Sequence, residues 1–528
     1  MYKILVSDYI SEAGIKILEE DAEVYFNHKI SREEFLDIIG EYDGIIVRSF
    51  TKLNKEALDK AKKLKVIGRA GTGYDNIDVD EASKKGIVVF NTPTGNTISA
   101  AEHAVGLILS LSRNIPQANQ ALHNGIWDRK KYNGTEVRDK TLGIIGLGRI
   151  GSYVAKFAQG LGMKVIANDP YLAPEKAEKL NVPLKEFDEV LEESDYITLH
   201  TPLTDETHHI LNDDAFNKMK NNVRVINAAR GGNVDTEALV RALENEKVAG
   251  AALDVHEEEP LPEDSSLLDF KDQVIVTCHL GGTTTEAMDN VSITAAEQVL
   301  DVLKNDKLPE SPLNIFSVDQ QNMNQAKPYL ELINKLGNFM AHWKGHERIK
   351  NIEVEYGGSI TEHNLKPYTT TLIKDILDPI LDNRVNLVNA YLVAKERNIN
   401  IKESHISQPD GFTNIIRIKI TTSNGTYSIS GTSLPLGNRV TDINDFRIDL
   451  TLEGKFLIAE YKDKPGVIGK IGTVLGDENV NIASMHVGRK AEKGDALMII
   501  QTDSKPSDAT MDNIQDGLDL IDISFLEM

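Results

Sequence analysis

The sequence predicts an α/β protein of several domains, and three observations carry that expectation. Its 528 residues exceed what a single hydrophobic core usually organises, at roughly 100–200 residues per domain. Short β-rich runs alternate with helical patterns from Tyr2 to about Asn91 and again from about Thr141 to Cys278, as expected for parallel sheets flanked by helices. From Lys455 onward the order reads strand, helix, strand, strand, helix, strand, that of a split βαβ, ferredoxin-like module.

In the first stretch the runs YKILVS, DGIIVRS, KVIGRAG and GIVVFN are separated by amphipathic segments such as SREEFLDIIGEY and NKEALDKAKKL. This predicts a small parallel α/β domain. TISAAEHAVGLILSLSRNIPQANQALHNG then reads as one long helical stretch, too long for a simple crossover and suited to linking two domains. LGIIG, KVIAND, YITLHT, RVINAA, VAGAALDV and QVIVTCH follow, near-continuous apolar runs expected of strands covered on both faces. A helix around EAMDNVSITAAEQVLDVLKND comes next, and composition changes near LPESPLN before a mixed region with the strands YGGSI and TTSNGTYSISGT. The expected domains are 1–96 with 290–315, 97–289, 316–450 and 455–528.

Composition narrows the function classes. Lys plus Arg number 58 against 81 Asp plus Glu, a net charge of −23, which argues against nucleic acid or an anionic membrane as partner. No apolar run is long enough to span a bilayer, and MYKILVSDYI lacks the features of a secretory signal. With Cys278 as its one cysteine the chain can form no internal disulfide and no multi-cysteine metal site, so a cytoplasmic location and no metal are expected. An anionic ligand would have to be held locally by arginines.

Gly146-Leu147-Gly148-Arg149-Ile150-Gly151 fits G-x-G-x-x-G, follows the strand-like LGIIG and opens the helical SYVAKFAQGL. In that setting glycines permit close backbone approach to a pyrophosphate, and helix N–H groups favour its charge. Asp169, at the end of MKVIAND, falls where an acid would accept hydrogen bonds from an adenosine ribose and repel a 2′-phosphate, favouring NAD over NADP.

Ligands of open α/β sheets bind beyond the carboxyl ends of the strands. Arg230 follows RVINAA, Glu259 comes shortly after GAALDV, and His279 ends QVIVTCH. Converging on a nicotinamide, they would suit oxidation of a 2-hydroxy acid: Arg holds the carboxylate, His takes the hydroxyl proton, and Glu orients the imidazole and favours its protonated form.

GLGRIG, NAARGG, DVHEEEP and CHLGG resemble, in order and spacing, the D-isomer-specific 2-hydroxyacid dehydrogenases. The resemblance implies a flavodoxin-like substrate domain beside a Rossmann NAD domain, with Arg230, Glu259 and His279 catalytic. It selects Glu259, next to Pro260, and leaves Glu257 and Glu258 as solvated neighbours. It also implies cofactor contacts at Thr72, Arg149, Ile150, Thr201, Ala228, Ala229, Asp254, His279, Gly281 and Gly282. Two positions depart from the family pattern. His256 stands where an aromatic is common and is expected to pack or make a local hydrogen bond; Cys278 replaces a proline and is expected to be a small buried hydrophobe.

VRSFTK, GRAGTGYDNID, NTPTGNTISAAEHAVG and NGIWDRKKYNG resemble the members of that family acting on a phosphorylated hydroxy acid. This implies oxidation of 3-phospho-D-glycerate by NAD to 3-phosphohydroxypyruvate, the first step toward L-serine, with 2-oxoglutarate reduction as a side activity. Arg48, Ser49, Arg69, Gly71 and Arg129 would line the substrate, with the Gly71-Thr72-Gly73 backbone close to its carboxylate and the nicotinamide, and Trp127, Arg129 and Lys130 would lie on a segment that reaches toward a second subunit of a homo-oligomer. KDKPGVIGKIGTVLGDENVNIASMHVGR resembles an ACT domain, implying L-serine as effector at Tyr461, Asp463 and Asn481. Residues 316–450 resemble the α+β intervening domain of longer members, with Arg439 and Arg447 as candidates for an anionic ligand.

Overall fold

A computed structural model of the chain describes residues 1–528 apart from 306, 317, 319–321, 345, 346, 382, 383, 407–410, 491–493 and 519, and of 516–518 it describes the backbone only. The chain divides into two compact units, Met1–Ile77 with Phe90–Ser311 and Asp78–Val89 with Pro312–Met528.

Strands β1 (Tyr2–Val6), β2 (Ala22–Phe26), β3 (Gly44–Val47), β4 (Val66–Arg69) and β5 (Val88–Asn91) form a sheet in the order β2-β1-β3-β4-β5. β1 pairs in parallel with β2 and β3, and β3 with β4, which is the flavodoxin-like order. The apolar sequence GIIV of β3 is buried throughout, as befits a strand covered on both faces. The helix Thr285–Asn305 returns to this sheet through buried Val291, Ala295 and Val299, and its Ser292 Oγ accepts the Ser11 N–H at 3.0 Å.

The second sheet of the first unit comprises β6 (Thr141–Ile145), β7 (Lys164–Asn168), β8 (Tyr196–Leu199), β9 (Val223–Asn227), β10 (Val248–Leu253) and β11 (Val274–Val276). Its order is β11-β10-β9-β8-β6-β7, parallel throughout. The winding reverses at β6, whose neighbours β7 and β8 lie on opposite sides. Such a switch point opens a ligand crevice at the carboxyl ends of the strands. The stretch expected as one helix is two, Thr97–Arg113 and Ile115–His123. Asn114 between them takes the left-handed conformation at φ 52°, and a proline follows within the first turn of the second helix, so the hydrogen-bond ladder cannot run through. The first of these helices buries Ala101, Ala104, Ile108 and Leu111 against Val154, Ala155 and Ala158 of the helix Arg149–Gly160.

The second unit contains β12 (Ile349–Gly358), β13 (Asn400–Ile406), β14 (Asn414–Thr422), β15 (Thr426–Leu434), β16 (Gly437–Ile443) and β17 (Phe446–Leu450) in the order β13-β12-β14-β15-β16-β17. β14 shows the period of two, with Ile416, Ile418 and Ile420 buried and Arg417 and Lys419 facing away. The isoleucines share a core with Leu336, Phe339, Tyr368 and Leu372 of the helices Met323–Lys344 and Lys366–Leu377. β18 (Lys455–Lys462), β19 (Ile482–Arg489), β20 (Asp495–Thr502) and β21 (Leu520–Glu527) form an antiparallel sheet in the order β19-β20-β18-β21, with the helices Val467–Asp477 and Asp508–Leu518 between strands, the expected ferredoxin-like plan. Among the described residues no helix is long and apolar enough to cross a membrane, and no cluster of His, Cys, Asp or Glu could hold a metal.

Candidate active site

Arg230, Glu259 and His279 follow β9, β10 and β11, three adjacent parallel strands, so all three emerge at one edge of the second sheet. The Nδ1 atom of His279 lies 2.9 Å from Glu259 Oε2. With Nδ1–H donating to the carboxylate, Nε2 is the free acceptor. Burial pushes the Glu259 carboxyl up, but hydrogen bonding and charge from His279, with the His256 N–H, outweigh it and hold it below the usual carboxylate range. His279 sits at φ 56°, and its turn is built around Asp254. This buried carboxylate accepts from Thr277 Oγ1 at 2.6 Å, from the Leu280 and Gly281 N–H groups at 2.8 Å each and from His103 Nε2 at 3.1 Å. Burial alone would raise its pKa; these donors reverse the sign and hold it well below the usual range. Asp254 thus holds the 277–281 turn in place.

His256 makes the expected local hydrogen bond, Nε2–H to Thr277 O at 3.0 Å. Two neighbours differ from expectation. Glu257 is not a free solvated residue: Oε1 meets His209 Nε2 at 2.6 Å and Oε2 accepts the Thr236 N–H at 3.0 Å, where a helix begins and leaves its first N–H groups unpaired. Glu258 is exposed. Cys278 is exposed rather than buried, because it lies beyond the end of β11, in the turn that presents His279.

Three guanidinium groups, of Arg48, Arg69 and Arg230, gather near one another. Arg230 donates through Nε to Asp75 at 3.2 Å and through Nη1 to Ala229 O at 2.7 Å. Arg69 donates to Ser49 Oγ at 3.0 Å and Ala70 O at 3.1 Å. Burial, with the charges of Arg48 and Arg230, pushes its pKa down to about 10; burial likewise lowers that of Arg48, against the pull of Asp8. The Nε atoms of Arg48 and Arg69 are buried with no hydrogen-bond partner among the described residues. Clustered, mutually repelling cations have the chemistry to attract an anion. The neighbouring glycines let the guanidinium groups lie close to the backbone: Gly71 takes φ 135°, a conformation that favours glycine, and a Cβ there would lie 1.7 Å from Arg69 Nη1, as one at Gly73 would lie 2.0 Å from Arg230 Nη2. Asp8 and Asp75 were not anticipated; Asp8 accepts the Arg48 and Thr51 N–H groups, and its place at the end of β1 is the signal that could have found it.

The glycine loop fits a dinucleotide. Gly146 takes φ 92°, and a Cβ on Gly148 would meet nothing within 4 Å, leaving an open cradle at the helix start. Arg149 is exposed there, Ile150 half-buried and Gly151 buried in the first turn. Asp169 accepts the Leu147 N–H at 2.9 Å through Oδ2 and the Tyr171 N–H at 3.1 Å through Oδ1, so each oxygen keeps capacity for a ribose hydroxyl. Across the switch point Thr201 Oγ1 is buried without a partner among the described residues. Thr72 Oγ1 donates to Asn96 at 2.7 Å, Ala228 and Ala229 are half-buried beyond β9, and Gly281 and Gly282 continue the His279 turn. Arg129 is exposed and has no ion-pair partner among the described residues; it does not join the arginine cluster. Trp127 and Lys130 are exposed on the same segment.

The family comparisons fit this geometry. The D-isomer specific 2-hydroxyacid dehydrogenase NAD binding domain matches residues 105–281, the D-3-phosphoglycerate dehydrogenase intervening domain residues 325–444, and the ACT domain residues 455–516. A D-3-phosphoglycerate dehydrogenase from Synechocystis is 43% identical over 97% of this chain and 92% of its own, and one from Bacillus subtilis is 41% identical over the whole of both. The chain belongs to the D-3-phosphoglycerate dehydrogenase family. Its 2-hydroxyacid dehydrogenase part is shared with a solved glyoxylate reductase from Paecilomyes thermophila, TM-score 0.55 and 30% identity over 59% of this chain and 98% of that one. A D-lactate dehydrogenase from Aquifex aeolicus, solved with NAD and lactic acid, gives TM-score 0.51 and 32% identity over 58% and 96%. The protein is an NAD-dependent dehydrogenase carrying the family's intervening and ACT domains.

In the ACT domain, Tyr461 is buried in the core, Asp463 lies 3.5 Å from Arg489, and Asn481 donates to Asp503 at 2.7 Å. The register puts them apart: Lys455 and Ile482 both pair with Thr502, whereas Tyr461 and Arg489 both pair with Ala496. Asp463 and Asn481 therefore sit at opposite ends of the sheet. Arg439 lines a cavity of about 220 Å³ with Thr451, Ser484, His486 and Gln501, while Arg447 is exposed on β17.

Proposed function

We propose that this enzyme oxidises 3-phospho-D-glycerate to 3-phosphohydroxypyruvate, the first step of L-serine biosynthesis. The observation that carries the choice of substrate is the cluster of Arg48, Arg69 and Arg230, which supplies more cationic donors than one carboxylate needs, in a chain of net charge −23. Arg230, with the Gly71 backbone close by, holds the carboxylate beside the reacting carbon, and Arg48 and Arg69, with Ser49, hold the phosphate. His279 Nε2 takes the hydroxyl proton as the C–O bond becomes a carbonyl, while Glu259 fixes the ring and balances the charge it gains. The loop from Gly146 to Gly151, with Asp169, Thr201 and the backbone of Thr72, Ala228, Ala229, Gly281 and Gly282, would hold NAD. When bound, NAD supplies the acceptor for the hydride leaving C2.

The ACT domain supports regulation by L-serine. Because Asp463 and Asn481 lie at opposite ends of one sheet, a shared site requires a second copy of the chain. An exposed apolar stretch, Ile115, Leu122, Ile126 and Trp127, supports a homo-oligomer. A cytoplasmic location accords with this metabolic role.

Steady-state assays with 3-phosphoglycerate and D-glycerate, each with NAD and NADP, test the substrate. A large preference for the phosphorylated acid with NAD is expected, and equal efficiency on the two acids would refute it. Serine titration with Asp463→Ala as control tests regulation; an unresponsive wild type would overturn it.

A further inference from the structure

A second ionic cluster lies outside the reacting groups and joins the segments that carry them. Glu257, two residues before Glu259, binds on one side the Thr236 N–H that follows the Arg230 turn, and on the other the His209 ring. His209 belongs to the loop leaving β8, the loop that also carries Thr201. Its own backbone is held at φ 50°, its N–H donates to Gly232 O at 2.8 Å, and its ring stacks on His208 with centroids 3.9 Å apart. The peptide from His256 to Glu257 is pressed against the Arg230 turn so closely that a Cβ at Gly231 would stand 1.9 Å from His256 O. From the preceding peptide the His256 N–H reaches Glu259 Oε1 at 3.2 Å, leaving Oε2 for His279.

We propose that the His209–Glu257 pair is a positioning clamp that sets Glu259 against His279. The claim rests on the roles given above to those two residues. Glu257 and His209 touch no reacting atom in this scheme. They act by locking together three loops, those after β8, β9 and β10, so that the Glu259 carboxylate stands at hydrogen-bond distance from the imidazole before substrate arrives. Burial pushes the Glu257 carboxyl up, but hydrogen bonds from Thr236 and His209 outweigh it and lower its pKa, so the clamp carries an ionised partner at working pH. Orientation on this scale matters because displacement of a catalytic group by about 1 Å can cost on the order of a hundredfold in rate.

The test measures kcat, KM and NADH-binding stoichiometry for full-length wild type, Glu257→Ala, Glu257→Gln, His209→Ala, the Glu257→Ala/His209→Ala double variant and Glu258→Ala, on whichever 2-hydroxy acid the wild type oxidises. Expected are about tenfold losses of kcat per binding site in both single Ala variants, with KM for NAD within twofold, and a double variant no worse than twofold below the lower single. Glu257→Gln, which can still accept from Thr236, should regain at least threefold over Ala, and Glu258→Ala should match wild type. Wild-type kcat in Glu257→Ala, multiplying losses in the double variant, or a loss explained wholly by fewer binding sites would overturn the clamp. Glu259→Gln, run alongside, separates the two claims: if it keeps full kcat, the reacting pair itself has failed; if it loses kcat while Glu257→Ala does not, only the clamp has.

Discussion

His279 and Glu259 meet at 2.9 Å across a turn in which His279 itself occupies left-handed backbone. The contact therefore depends on Asp254 holding the turn as much as on the two side chains. Replacing Glu259 by Gln keeps size and one acceptor but removes the charge that balances a protonated ring. Steady-state kinetics should show kcat reduced by about 10- to 100-fold, with KM for NAD nearly unchanged. A variant with wild-type kcat would remove Glu259 from the reaction.

Arg69 tests phosphate recognition separately from chemistry. Its guanidinium is half-buried beside two other cations, an arrangement that favours an incoming dianion over a single carboxylate. Arg69→Ala should lower kcat/KM for 3-phosphoglycerate by about 100-fold and that for D-glycerate by less than threefold. Equal losses on both acids would assign Arg69 to the carboxylate or to folding.

The fold was legible where a single periodicity dominated. The near-continuous apolar strands of the second sheet and the alternation of β14 translate directly into burial, and G-x-G-x-x-G after a strand places Gly146 at the switch point. Less visible was β2, whose sequence AEVYF buries only its first residue, since an edge strand carries a weak pattern. In the site, Arg230 and His279 could be picked out because each closely follows a strand end, whereas Glu259 could be told from Glu257 and Glu258 only by the family resemblance. The partners that organise them could not: Asp75 is 155 residues from Arg230 in sequence and His209 is 48 from Glu257. A pairing made by two loops leaves no periodic trace, which is why Glu257 read as a solvated neighbour.

Asp169 has a double role that sharpens its test. Because Oδ2 accepts the Leu147 N–H at 2.9 Å, the carboxylate shapes the glycine loop, beside the ribose contact proposed for it. Asp169→Ala should raise KM for NAD by about tenfold and narrow the NAD/NADP ratio of kcat/KM. Unchanged cofactor discrimination would limit Asp169 to bracing the loop.

His200 predicts how stability follows pH. The ring is buried, with Nε2 3.0 Å from Thr198 Oγ1 and Nδ1 without a partner among the described residues. Burial lowers its pKa from 6.5 to about 4. The folded protein therefore keeps a neutral imidazole where the unfolded chain would take up a proton. Its depressed value makes the contribution fully present above pH 6.5 and progressively lost as pH falls toward 4, by about 3 kcal/mol at most. Urea unfolding at pH 7.5, 5.5 and 4.5 should show His200→Gln less stable than wild type at the highest pH, since the buried site is disturbed. The gap should then shrink by up to that amount as acid is added, because glutamine has no proton to refuse. A gap that stays constant across the three pH values would mean the imidazole gains its proton without unfolding.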